Sequence, residues 1–149
     1  MSTIKVDTYL TRGGASEIAI DKLKGASSAA SMTVVGEGGS TTTNLQQGLA
    51  KAFLAYKGTS TNSIYDSNNI SSVSDDDTGD YTANFTNNFN GANDYALGAF
   101  VQGDAGGGGR IVAGRGTPAT SSRPVDCRNT SNSETDMSHV NISYHGDLA

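Results

Sequence analysis

From residue 50 onward, apolar and polar positions alternate with a period of two, in short runs separated by Gly, Asn, Asp and Ser. That period marks half-buried strands, because successive side chains on a strand point to opposite faces. Residues 70–85, ISSVSDDDTGDYTANF, carry it most clearly: Tyr81, Ala83 and Phe85 share one face, and Thr82, Asn84 and Thr86 the other. Asp75, Asp76, Asp77, Thr78, Gly79 and Asp80 supply the turn between two strands, with Gly79 free to take positive φ. The pattern predicts strands near 50–57, 62–66, 69–74, 80–86, 94–102, 109–113, 122–128 and 136–145. In the fifth, Tyr95, Leu97, Ala99 and Val101 oppose Phe100; in the last, Val140, Ile142 and Tyr144 oppose Asn141 and Ser143. Short strands at this spacing predict an all-β fold, either a sandwich or a small barrel. An antiparallel β-sandwich, jelly-roll-like, is the expectation.

The front of the chain follows another rhythm. Residues 1–43 hold three strand-length apolar stretches: Ile4 to Val6 with Tyr9, Ile18 to Ile20, and Met32 to Val35. Glycine-rich intervals separate them, and such pieces are too short to form a domain alone. They predict an extended N-terminal arm over 1–43 that adds strands to a partner or to sister chains. Residues 43–58, TNLQQGLAKAFLAYKG, are ambiguous. Leu45, Leu49, Phe53 and Tyr56 form a helical stripe that Thr43 could cap, yet the later residues also alternate. Gly48 costs a helix about 1 kcal/mol relative to Ala. The reading adopted is a short helical linker over 44–49 and a β-domain over 50–149.

Composition changes this picture in one respect. Trp is absent, large aliphatic residues are sparse, and Gly reaches 19 of 149 residues. A core this thin must offset roughly 1–2 kcal/mol of backbone entropy per residue, so further burial between sister subunits is expected. The net charge of −5 and the scattered basic residues argue against nucleic-acid or anionic-membrane binding. No run of about 18 apolar residues predicts a transmembrane helix. The opening MSTIKVDTYLT has no apolar stretch of the secretory kind. A lone cysteine, Cys127, excludes an internal disulfide and fits synthesis in a reducing cytosol.

Residues 70–85 closely resemble a segment of small β-rich structural proteins of tailed phages, many from marine bacteria (cyanophage-like). The tract from His139 to Asp147, HVNISYHGD, is similar to their closing strand, and the resemblance covers roughly residues 45–149. It sets the end of 43–58 as the first strand of the domain. The opening Ser2 to Thr8 resembles the start of phage fibre and appendage proteins, where such N-termini attach the subunit to the virion. Residues 104–109 and 117–123 depart from the pattern, and nothing transfers there. The resemblance implies a non-catalytic virion protein made in the host cytoplasm: a tail-fibre or adhesin-type subunit displayed on the particle. The alternatives are a capsid decoration or head-fibre protein and, from another class, a carbohydrate-binding module or small glycan-active enzyme. The implied partners are sister subunits in a homotrimer, other virion proteins through residues 1–43, and a host surface glycan or protein. Neither nucleic acid nor membrane insertion is expected.

Candidate chemistry is sparse. Asp75, Asp76, Asp77 and Asp80 offer hard oxygen donors for Ca²⁺, but the spacing is not that of a helix–loop–helix site, and a solvated hairpin turn is the better reading. Residues 103–110, GDAGGGGR, lack the Gly-Lys-Ser/Thr of a phosphate-binding loop. His139 and His145 fall on one strand face, and with Cys127 they do not make a zinc set. Cys127 reads as a small buried hydrophobe rather than a nucleophile. Ser16, Ser121 and Ser122 lie outside any Gly-x-Ser-x-Gly elbow. Glu17, Glu37, Asp94 and Glu134 cannot be paired from sequence as glycosidase acids. Tyr65, Tyr81, Phe89 and Tyr95 could stack on sugars, but the core needs most of them. No catalytic, cofactor-binding or metal-binding residue is assigned, and no cofactor is expected.

Overall fold

A computed structural model describes residues 32–36, 39–102 and 110–149. Two four-stranded antiparallel sheets pack as a sandwich. One, sheet B, has the order β4-β3-β10-β7, formed by Ser63–Asn68, Ala52–Lys57, His139–Gly146 and Tyr95–Gln102. The other, sheet C, has the order β5-β6-β9-β8, formed by Ile70–Asp77, Asp80–Phe85, Ser122–Asn129 and Arg110–Gly114. Ahead of them a small hairpin, sheet A, pairs β1 (Thr33–Val35) with β2 (Thr42–Asn44), and the helical turn α1 (Leu45–Gly48) follows.

The sheets are stitched at their edges. β4 and β5 are nearly one strand, bent from sheet B into sheet C at Asn69, whose φ is 57°. Asparagine tolerates this left-handed conformation, and here its side chain also fixes the bend. Asn69 Oδ1 accepts from the Asn87 backbone N–H at 2.7 Å, and Asn69 Nδ2 donates to the Asn87 carbonyl at 3.1 Å. Strands that switch sheets at such corners are how sandwiches close a side.

The core follows the predicted alternation. Ala52, Leu54 and Tyr56 of β3 face Tyr81, Ala83 and Phe85 of β6, with Val125 and Cys127 of β9 and Val140, Ile142 and Tyr144 of β10. Register keeps these faces in phase: Ile142 lies beside Leu54 and Ala99, and Tyr144 beside Ala52 and Leu97. Aromatic rings fill volume that sparse aliphatics leave open. Phe85 stands edge-on to Phe89 and Tyr144 at centroid distances of 4.9 and 5.1 Å, and Tyr56 packs against Tyr81 at 5.1 Å. Edge-to-face pairs of this kind add about 0.5–1.5 kcal/mol each beyond area burial.

One expectation is corrected. The turn is shorter than residues 75–80: β5 continues through Asp77, which pairs with Asp80, and only Thr78 and Gly79 turn. Asp76 is the extra residue of an irregularity between the Asp75–Tyr81 and Asp77–Asp80 pairs, and its Oδ2 accepts from Thr82 Oγ1 at 2.6 Å. Gly79 does take positive φ, at +74°. Within residues 1–43, residues 33–35 pair with residues 42–44 of the same chain, and Gly36 N–H donates to the Thr41 carbonyl at 2.7 Å. Residues 1–31, with Ser16 and Glu17, and Glu37 lie outside the described residues, as does the glycine-rich stretch 103–109.

Candidate contact surface

Two faces of the sandwich point away from the core, and they differ in chemistry. On sheet B the outward positions of β3, β10 and β7 are Phe53 and Ala55, Asn141 and Ser143, and Gly98 and Phe100. Register aligns Phe53, Ser143 and Gly98 in one row, and Ala55, Asn141 and Phe100 in the next. Two phenyl rings therefore stand at diagonal corners, with small or polar residues between them. Phe100 is 68 % exposed and Phe53 37 %. The result is an open groove of about 330 Å³ floored by small residues and the central strand. Singly exposed apolar residues are ordinary; here two rings flank an amide and a hydroxyl on one face, which makes it a candidate contact surface. At one end of the same face, Tyr65 of β4 stacks on His139 at 5.0 Å and 24°, and Tyr65 Oη donates to the Ser138 carbonyl at 3.4 Å.

The outer face of sheet C is ionic. Asp80 of β6 sits directly opposite Asp126 of β9, although both are outward positions of their strands. Both residues are buried, 4 % and 5 % exposed. Arg115 reaches Asp80 Oδ2 at 3.1 Å and Asp76 Oδ2 at 3.7 Å. Arg128 donates from Nε to Asp126 Oδ2 and from Nη2 to Glu134 Oε1, the latter at 2.8 Å. Glu134 arrives there through a tight turn. Asn129 Oδ1 accepts from the Ser131 and Ser133 backbone N–H groups, Asn132 takes a φ of 61°, and the chain folds back so that Glu134 bridges Arg128. Burial pushes the Asp80 carboxyl above its ordinary range, Arg115 pulls it down, and Glu134, Asp126 and Asp77 push it up again.

The sequence-level candidates disperse. Asp75, Asp76 and Asp77 are exposed along β5, whereas Asp80 alone is buried and joins Asp126 and Glu134. His139 and His145 share the outer face of sheet B, both exposed, as their even separation predicts. Cys127 is fully buried, and its thiol is pushed up to about 12, by burial first and then by Asp126, Asp136 and Asp80. A thiol held neutral is packing material. Tyr81 and Phe89 are core, Tyr95 is half-buried, and Tyr65 is exposed on its histidine partner. Asp94 lines a shallow hollow with His145 and Asp147, whereas Glu134 pairs with Arg128. Ser121 lends its carbonyl to the Phe85 N–H, and Ser122 opposite Asn84 is a strand residue.

Reading the sequence alone misses Asp126, Arg115 and Arg128 altogether. Asp126 sits between Val125 and Cys127 at a period-two polar position, which signals only an outward side chain. Phe53 and Phe100 are legible as outward, but nothing local says that β10 brings them to one face. No family model matches the chain, and no curated protein or solved structure matches it.

Proposed function

We propose that the protein is a non-catalytic structural subunit displayed on the outside of a phage particle, of tail-fibre or adhesin type. The assignment to a particle rests on the resemblance carried by residues 70–85 and 139–147. The observation that carries the contact role is the outer face of sheet B, where Phe53 and Phe100 flank Asn141 and Ser143. Aromatic rings beside amide and hydroxyl groups suit an apolar sugar face or a partner side chain, while the polar groups set orientation. Residues 1–43 attach the subunit to other virion proteins by strand addition, in which main-chain hydrogen bonds fix register. Sister copies assemble as a trimer, and multivalent display turns weak individual contacts into firm attachment through effective concentration.

The test is to label purified particles with antibody to the full-length protein and to count copies by quantitative mass spectrometry. A few copies at the tail, with the purified protein competing for adsorption to host cells, supports the reading. Absence from particles refutes it. Copies in the tens to hundreds over the head replace the tail-fibre assignment with a decoration protein. A monomer by light scattering at micromolar concentration refutes the trimer alone.

A further inference from the structure

The ionic face of sheet C holds more negative charge than it neutralises. Asp76, Asp80, Asp126 and Glu134 share two guanidinium groups, those of Arg115 and Arg128. Two negative charges are left over at a place where two of the carboxylates are nine-tenths buried. Each arginine binds the Oδ2 atom of its buried aspartate. The other oxygen of each, Asp80 Oδ1 and Asp126 Oδ1, is shielded from solvent and has no hydrogen-bond partner. A buried carboxylate oxygen without a partner is costly, and like charges directly opposite on adjacent strands destabilise the ladder. One carboxylate oxygen each from Asp80, Asp126 and Glu134 lies within 4.8 Å of the others. These are separate facts, one of charge, one of orphaned acceptors and one of convergence, and a cation answers all three.

We propose that Asp80, Asp126 and Glu134 form a binding site for a divalent cation of the calcium class on the outer face of sheet C. The donors are all hard oxygens. Cys127 points into the core and both histidines lie on sheet B, so among the described residues neither the thiol nor an imidazole joins the three carboxylates. Calcium accepts six to eight oxygens at roughly 2.3–2.6 Å in adaptable geometry, which suits three carboxylates completed by water. Magnesium demands a stricter octahedron and keeps more of its water. Asp75 and Asp77 are not part of the site, and Asp76 adds to its negative charge only through the Arg115 it shares with Asp80, without converging on the three ligand oxygens. Arg115 and Arg128 act as positioning residues: each takes one oxygen of its aspartate and leaves the other presented. The cation fastens the turn bearing Glu134 to β6 and β9, so a loop connection between the sheets becomes rigid when it binds.

The experiment uses the full-length protein, freed of metal with EDTA and dialysed. Calorimetric titration with Ca²⁺ is expected to show saturable binding of one ion, with Mg²⁺ at least 10-fold weaker. The midpoint of thermal unfolding is expected to rise with the logarithm of Ca²⁺ concentration, by on the order of 5–10 °C at 100-fold over the dissociation constant. Asp126→Asn and, separately, the exposed-residue variant Glu134→Gln should each weaken binding at least 10-fold. Asp75→Asn should leave it within twofold. In EDTA, Asp126→Asn should unfold at the same temperature as the parent or higher, because it removes one of two opposed charges. A purely structural role for Asp126 as an anchor for Arg128 would lower that temperature and leave it insensitive to Ca²⁺. No heat and no thermal shift at millimolar Ca²⁺, or binding that persists in both site variants, overturns the proposal.

Discussion

Replacing Gly79 with alanine tests how the β5–β6 turn is held against the rest of sheet C. The position has φ +74°, where an L residue pays roughly 1–2 kcal/mol. A Cβ there would also lie 2.6 Å from Thr135 N and 2.7 Å from the Cys127 carbonyl oxygen. Both neighbours are backbone, so no side chain can swing aside. They belong to a short relay: Cys127 N–H donates to the Gly79 carbonyl at 2.7 Å, and Thr135 N–H donates to the Cys127 carbonyl at 3.0 Å. Gly79 N–H itself donates to Asp136 Oδ1 at 2.8 Å. Displacing the turn weakens one or two of these bonds at about 1 kcal/mol each, for a total loss of about 3 kcal/mol. Gly116→Ala is the internal control, because its φ is +57° and nothing lies within 4 Å of its would-be Cβ. It should cost only the conformational term, about 1 kcal/mol. Urea unfolding followed by far-UV circular dichroism gives both losses from the midpoints at a common slope. Equal losses in the two variants would refute the claim that residues 134–136 clamp the turn.

Tyr144 Oη is buried without a partner, whereas Tyr81 Oη donates to Asp136 at 2.9 Å. Tyr144→Phe should therefore leave stability unchanged or slightly raised, and Tyr81→Phe should lower it by about 1–2 kcal/mol, read by the same denaturation. Alkali should unfold the protein cooperatively. Burial raises Tyr56 to about 12 and Cys127 to about 12, and lifts Tyr81 and Tyr144 further, so all four stay protonated in the fold after their unfolded counterparts ionise. Their contribution is complete below the unfolded values and drains as pH climbs from about 9 for the thiol and 10 for the phenols. Each group still neutral costs about 1.4 kcal/mol per pH unit, and thermal midpoints across that range measure the slope. Phe100→Ser should change stability by less than about 0.5 kcal/mol while weakening host-cell adsorption by the purified protein, because its ring is exposed. Ile142→Ala, beneath the same groove, should instead cost about 2–5 kcal/mol.

The alternation of residues 80–85 and 140–144 suffices to assign faces, since the pleat makes facing a local property, whereas residues 136–138 lie outside β10, which begins at His139, with Met137 buried out of that phase. Turn chemistry was equally legible at Gly79, where only glycine takes the conformation cheaply. The acidic run misled for a physical reason. Aspartates disfavour strands as isolated residues, but an irregularity at Asp76, with a bond from Thr82 and the charge of Arg115, lets the strand continue to Asp77. The hairpin of residues 33–35 with 42–44 was hidden because three-residue strands carry too little pattern to name their partner.

What the chain's own order of residues decided is which side chains turn inward and where the backbone reverses. Partner choice among strands belongs to the tertiary structure. Phe53, Phe100 and Asn141 share one face only because β10, the last strand, inserts between β3 and β7. Asp80 meets Asp126 only because β6 pairs with β9 across more than forty residues of chain. Such pairings depend on how eight amphipathic strands jointly bury one thin core. Loop-closure entropy changes so slowly with separation that no local signal along the sequence selects the neighbour.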